Sequence, residues 1–217
     1  MDKKIESIFS KMYEDRLFID KKKGEDTSIS ESGPGSDYEF MKKHIPAIEK
    51  FLKDFSIQSW LDIGCGDWAW TKFVNFSGNY IGIDIADNIL QKTKELYEFS
   101  DYPCGQTKSF FHLDAITDKL PLVDFIMAKD VMIHLSLEKC MEFIANVKRS
   151  GSKYFGTTQY ANTTRNRNIP IGSWADRNYF IAPFLFPKSV AAIEMPEIGL
   201  DKKLYSKSIT IWRISDL

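Results

Sequence analysis

Residues 57–85 read IQSWLDIGCGDWAWTKFVNFSGNYIGIDI, and this stretch decides the fold. An apolar run, Ile57 to Ile63, ends in a turn carrying Gly64 and Gly66. Residues 68–76 have helical character, and a second apolar run, Tyr80 to Ile85, follows. Strand, glycine turn, helix and strand in that order predict parallel strands joined by a crossover. Glycines after a strand let the backbone approach a ligand closely, and the helix that follows offers free N–H groups. In open α/β sheets the ligand lies beyond the carboxyl ends of the strands. Asp84 ends the second strand about twenty residues after the turn, where a carboxylate accepts hydrogen bonds from a ribose.

Working outward, the alternation continues. Asp87 is placed to cap a helix running to about Phe99, and Phe110 to Asp114 reads as a third strand. A fourth strand is carried by Val123 to Asp130, VDFIMAKD. Ser136 is placed to cap a helix with Leu137, Cys140, Met141, Ile144 and Val147 on one face. Lys153 to Thr158 makes a fifth strand. Near the end, SVAAIEM and SITIWRI predict two strands joined around Pro196 to Lys203, a hairpin closing the sheet. Upstream, residues 1 to about 20 have helical apolar spacing, and Tyr38 to Phe55 reads as a second helix interrupted near Pro46. Lys21 to Asp37 is polar and glycine-rich, a loop or a lid. The expected division is 1–56, N-terminal helices and lid, and 57–217, the ligand-binding domain with a long loop at 159–187.

The glycine pattern Gly64, Gly66, Ala69 also fits a dinucleotide site. Two features oppose it. Asp62 stands inside the strand just before the glycines, where a carboxylate repels a pyrophosphate but suits a cationic amino-acid group. The terminal hairpin is not expected of a dehydrogenase half.

The segments LDIGCGDW, YIGIDI, FFHLDA and DFIMAKDVMIHL resemble, in order and spacing, the motifs of class I S-adenosylmethionine-dependent methyltransferases. The resemblance covers about residues 57–158. It implies an α/β Rossmann-like, mostly parallel sheet with helices on both faces and a C-terminal antiparallel hairpin, and S-adenosyl-L-methionine as cofactor. It makes Gly64 and Gly66 the platform under the methionine part, with Asp62 facing the amino group and Asp84 the ribose. Ile85 would pack on adenine, Asp114 would contact the adenine amino group with Ala115 beside it, and Lys129 would offer a backbone carbonyl to the methionine moiety. Gly33, Gly35 and Ser36 of SGPGS are candidates for the cofactor carboxylate.

Methyl transfer depends largely on alignment and desolvation, and a hydroxyl acceptor also needs a base. Asp130 and His134 are the candidates, His134 having the more suitable pKa. In the 159–187 loop, Arg165, Trp174, Arg177 and Tyr179 suit a polar or ring-bearing acceptor. No D/N-P-P-Y/F signature follows the fourth strand, which disfavours methylation of a planar base or amide nitrogen. The expected acceptor is a polar small molecule such as a sugar or nucleotide-sugar. Two other readings stay open: an RNA or protein methyltransferase using Lys21 to Lys23 and the Arg-rich loop, and a non-catalytic cofactor-binding scaffold.

Composition narrows the classes. The 217 residues carry 29 basic and 30 acidic side chains, so no basic excess marks a nucleic-acid partner. Apolar residues at 43% and aromatics at 14% suffice for a packed core. Cys65, Cys104 and Cys140 are widely spaced, with no C-x-x-C metal pair and no disulfide framework. The charged start lacks an apolar stretch and no run approaches a membrane span, so a cytoplasmic protein without a membrane partner is predicted.

Overall fold

In the computed structural model, residues 1–18, 30–198 and 204–217 are described. Lys21 to Lys23, most of the connection at 21–37 and the tip of the turn at 196–203 lie outside them. The chain carries a mixed seven-stranded sheet, mostly parallel, and divides into two units, Met1–Asp114 and Ala115–Leu217.

In the first unit, helix α1 (Lys3–Glu14) starts where the Asp2 side chain accepts the Lys4 and Ile5 amides. It stops well short of residue 20, because Arg16 turns left-handed at φ 53°. A short helix α2 (Tyr38–Met41) and α3 (Ile45–Asp54) replace the single interrupted helix. Pro46 opens α3, where its missing N–H costs nothing. Strands β1 (Ser59–Ile63), β2 (Asn79–Asp84) and β3 (Thr107–His112) run parallel in the order β3-β2-β1. Ile63 faces Ile83 across the first pair, and Asp84 faces His112 across the second. The ends of β1 and β2 therefore come level, which places the glycine turn beside Asp84.

Residues 68–76 do not form the expected crossover helix; only Thr71–Phe73 makes a 3₁₀ turn. Trp68 takes a left-handed φ of 55°, which breaks a helix at its start. Trp68 and Trp70 are both buried, and the Trp68 ring packs on Tyr80 at 5.5 Å and Phe110 at 5.4 Å between centroids. Helix α4 (Asp87–Tyr97) begins from Ala86, with Asp87 in its first turn rather than capping it. Asn88 Nδ2 donates to the Ser10 carbonyl at 2.9 Å, tying α4 to α1.

In the second unit, β4 (Phe125–Ala128) is buried throughout and parallel to β5 (Tyr154–Tyr160). Helix α5 (Leu137–Arg149) joins them, capped by Ser136 accepting from the Lys139 amide. It buries Cys140, Phe143, Ile144 and Val147, while Met141 is exposed, one position off the buried face. Strand β6 (Ala191–Glu194) and β9 (Lys207–Arg213) are the expected antiparallel pair, in the order β4-β5-β9-β6. A short ribbon, β7 (Glu197–Ile198) with β8 (Leu204–Tyr205), stands between them in sequence. Among the described residues, no helix is long and apolar enough to cross a membrane.

Candidate cofactor and acceptor sites

The glycine turn is fastened to the end of β2. The amides of Gly64 and Cys65 both donate to the Ile83 carbonyl, at 2.8 and 3.1 Å. Gly64 and Gly66 have φ of 71° and 53°, a conformation that costs other residues. The Gly66 amide donates to Asp84 Oδ2 at 3.0 Å, and the Ala86 amide to Asp84 Oδ1 at 2.9 Å. Burial raises the Asp84 carboxyl above the ordinary range, against the pull of these amides. A carboxylate has about four lone-pair positions, so Asp84 keeps acceptor capacity for a diol. Asp62, likewise buried, accepts from the Tyr80 hydroxyl at 2.7 Å and the Thr71 hydroxyl at 3.5 Å. These bonds anchor its carboxylate to β2 and to the turn at 71–73.

The N-terminal segment covers this turn. Asp67 accepts from Ser30 Oγ at 3.0 Å, the Glu31 amide at 2.6 Å and Ser32 Oγ at 3.0 Å. The Asp67 amide donates back to Ser32 Oγ at 3.2 Å, and the Tyr13 hydroxyl lies 3.2 Å from the same oxygen. A Cβ on Gly66 would fall 2.1 Å from Ser32 Oγ and 3.0 Å from the Tyr13 hydroxyl. Gly66 is therefore required by the chain's own cover. Gly33, at φ 93°, would put a Cβ 2.8 Å from the Phe18 carbonyl, while Gly35 and Ser36 lie in a 3₁₀ turn at 34–36.

Two further expected cofactor residues of this unit are engaged with their neighbours. The Ile85 carbonyl lies 3.0 Å from His112 Nε2. Asp114, almost fully buried, accepts the Asp2 amide at 2.9 Å, which pins the start of α1 beside the end of β3.

In the second unit, the Ala115 carbonyl accepts from Asn146 Nδ2 at 2.9 Å. Beyond the end of β4, Asp130 adopts a left-handed φ of 57°. Strain of this kind in a non-glycine residue is held only where the surroundings enforce it. Here its amide donates to Thr158 Oγ1 at 2.8 Å, and that hydroxyl donates to Asp130 Oδ1 at 3.0 Å. Lys129 Nζ stands 2.7 Å from the carboxylate and Lys207 Nζ 3.2 Å. The two ammonium groups hold the Asp130 carboxyl well below the ordinary carboxylate range, although burial opposes them. Asp130 is thus a fixed charge that orients its neighbours and a weak proton acceptor.

His134 lies in the 3₁₀ turn Met132–His134. Its Nδ1 is 2.9 Å from the Ser173 carbonyl, which only accepts, so Nδ1 carries the proton and Nε2 the lone pair. Burial lowers its pKa from the ordinary histidine value.

The 159–187 loop supports this turn from outside. Gly172 and Ala175 amides donate to the carbonyls of His134 and Ile133, each at 2.9 Å. Arg177 is fully buried, its guanidinium donating to the carbonyls of Met132, Leu135 and Arg167. Tyr179 is also fully buried, its ring packed on Phe184, Phe186 and Trp212. Neither side chain is presented to an acceptor, against the sequence-based expectation. Arg165 and Trp174 are exposed. Among the described residues, no group of three metal-ligating side chains occurs.

No family pattern and no curated protein matches this chain by sequence. Solved structures do match by fold. A magnesium protoporphyrin IX methyltransferase from Synechocystis PCC 6803, with bound SAH, superposes at a TM-score of 0.62 with 13% identity, over 97% of this chain and 99% of that one. The N-methyltransferase NodS of Bradyrhizobium japonicum WM9 gives 0.59 with 15% identity, over 82% and 98%. TehB of Haemophilus influenzae gives 0.55 with 17% identity, over 82% and 66%. The fold is that of the Rossmann-like α/β methyltransferases.

Proposed function

We propose that this chain is an S-adenosylmethionine-dependent methyltransferase acting on a polar small-molecule acceptor, at oxygen or nitrogen. The observation that carries the reading is the tether of the glycine turn to Asp84 at the end of β2. In a sheet of this class that is where an adenosyl ribose finds its carboxylate. Asp84 holds the ribose, Gly64 and Gly66 let the methionine part approach, and Asp62 orders the turn beneath it. Ile85 and Asp114 border the adenine. The segment Ser30–Ser36 with Tyr13 forms a cover that closes over the bound molecule, Gly33, Gly35 and Ser36 included. The cofactor supplies an activated sulfonium methyl with a neutral leaving group. On the acceptor side, His134 Nε2 would take the proton of the acceptor atom, and Asp130 would orient the acceptor. Arg165 and Trp174 line its approach.

Methyl transfer from labelled cofactor into metabolite and glycan extracts, read by mass spectrometry, tests the proposal. Label in one class of polar metabolite supports it. A chain that binds S-adenosylhomocysteine but labels nothing beyond background is a scaffold, and one that binds NAD in preference is a dehydrogenase-type site.

A further inference from the structure

The second unit holds a polar cluster larger than Asp130 and His134. Tyr160 ends β5 and pairs directly with Lys207, the first residue of β9. Lys207 Nζ lies 5.8 Å from the Tyr160 ring centroid, 3.2 Å from Glu197 and 3.2 Å from Asp130. The Tyr160 hydroxyl donates to the other Glu197 oxygen at 3.3 Å. Around the Tyr160 ring stand Trp174, edge-on at 5.9 Å, and Tyr205 at 6.1 Å. Trp174 is 44% exposed, large for an aromatic packed against others.

Charge decides what such a cluster accepts. Among the described ion pairs, the ammonium groups of Lys129 and Lys207 face the carboxylates of Asp130 and Glu197, so these four charges cancel. Both ammonium groups are almost fully buried, while Glu197 keeps 27% and Asp130 17% of its side chain exposed. An anion entering here meets two carboxylates, a cation two ammonium groups, and either leaves an unbalanced charge in a poorly solvated place. A neutral polyol has no such penalty. Its hydroxyls donate to a carboxylate and accept from an ammonium on the same ring. Its C–H face lies against an exposed indole.

We propose that Trp174, Glu197 and Lys207 form a subsite for an uncharged, hydroxyl-bearing ring, the carbohydrate part of the methyl acceptor. The carbohydrate's being the acceptor rests on the methyltransferase reading; its binding does not.

Saturation-transfer NMR on the full chain tests it, with the methyl glycosides of glucose, galactose, mannose, rhamnose and N-acetylglucosamine as probes. Glucose 6-phosphate and glucosamine serve as charged counterparts. At least one neutral glycoside is expected to bind more tightly than both charged sugars. Trp174→Ala should weaken it about fivefold, since ring contacts are worth that order. Glu197→Gln leaves the cluster with a positive charge, so preference should shift toward glucose 6-phosphate, a change that loss of packing alone would not produce. Tighter binding of a charged sugar to the unmodified chain overturns the inference, as do equal affinities in Trp174→Ala or an unchanged preference in Glu197→Gln. S-adenosylhomocysteine is titrated into the same samples. Binding of it without any glycoside overturns the subsite alone; glycoside binding without it overturns the methyltransferase reading alone.

Discussion

Asp84 accepts from the Gly66 and Ala86 amides, so one side chain both holds the turn and faces the proposed ribose. Asp84→Ala should therefore cost about 1–3 kcal/mol of stability and lower S-adenosylhomocysteine affinity together. Denaturation midpoint and calorimetry read the two; a folded variant with unchanged affinity removes Asp84 from the cofactor site. His134 makes a prediction in pH. Its pKa lies below the usual 6.5 because burial disfavours the charged ring. The basic form then persists as pH falls through 6.5, and the acid limb of kcat/KM lies lower still. His134→Ala should lose about a hundredfold or more and flatten that limb. A loss of only a few-fold makes His134 a packing residue. Asp62, Gly64, Gly66 and Asp84 were legible in the sequence because strand, turn and strand follow one another within thirty residues. Asp67 was not, since its partners Ser30 to Ser32 come from 35 to 37 residues upstream and no local pattern announces a pairing across that gap.

Between residue and element, the loop at 159–187 shows how residue type misleads. Arginine and tyrosine commonly serve recognition, and a polar loop at the ligand edge invites that reading. Arg177 instead spends its fork on three backbone carbonyls, one in the turn that carries His134 and one just after it. Burial is a property of the packed loop and leaves no trace in the residue's identity. Arg177→Met should destabilise the protein by about 3 kcal/mol or more, because buried carbonyls lose charged donors. Arg177→Lys should recover little, since one ammonium cannot span three acceptors. Chemical denaturation measures both, and an unshifted midpoint in either variant would show that the clamp is not structural. The crossover at 68–76 misled by the same route. Its helical spacing is real, yet Trp68 and Trp70 are drawn into the core and the backbone follows them. Sheet elements were easier to read, because buried parallel strands are short apolar runs bounded by turn residues.

At the scale of the whole molecule, most proposed cofactor contacts lie in Met1–Asp114, and the proposed acceptor residues lie in Ala115–Leu217. Hydrogen exchange on the full chain can separate them, since a ligand slows exchange of the amides it holds or covers. Saturating S-adenosylhomocysteine should slow the amides of 62–67 and 84–87, where Gly66 and Ala86 already donate to Asp84. It should also slow 30–36, because Ser30, Glu31 and Ser32 are bonded to Asp67 in the turn itself. Asp67→Asn keeps the side chain's size but removes its charge. In that variant 30–36 should exchange faster without ligand, while protection at 84–87 on adding ligand persists. This pattern would identify the N-terminal segment as a cover with its own latch, separable from the ribose contact. Protection at 84–87 with none at 30–36 would make the segment a fixed surface, and protection confined to 129–135 and 158–160 would move the cofactor out of the first unit altogether.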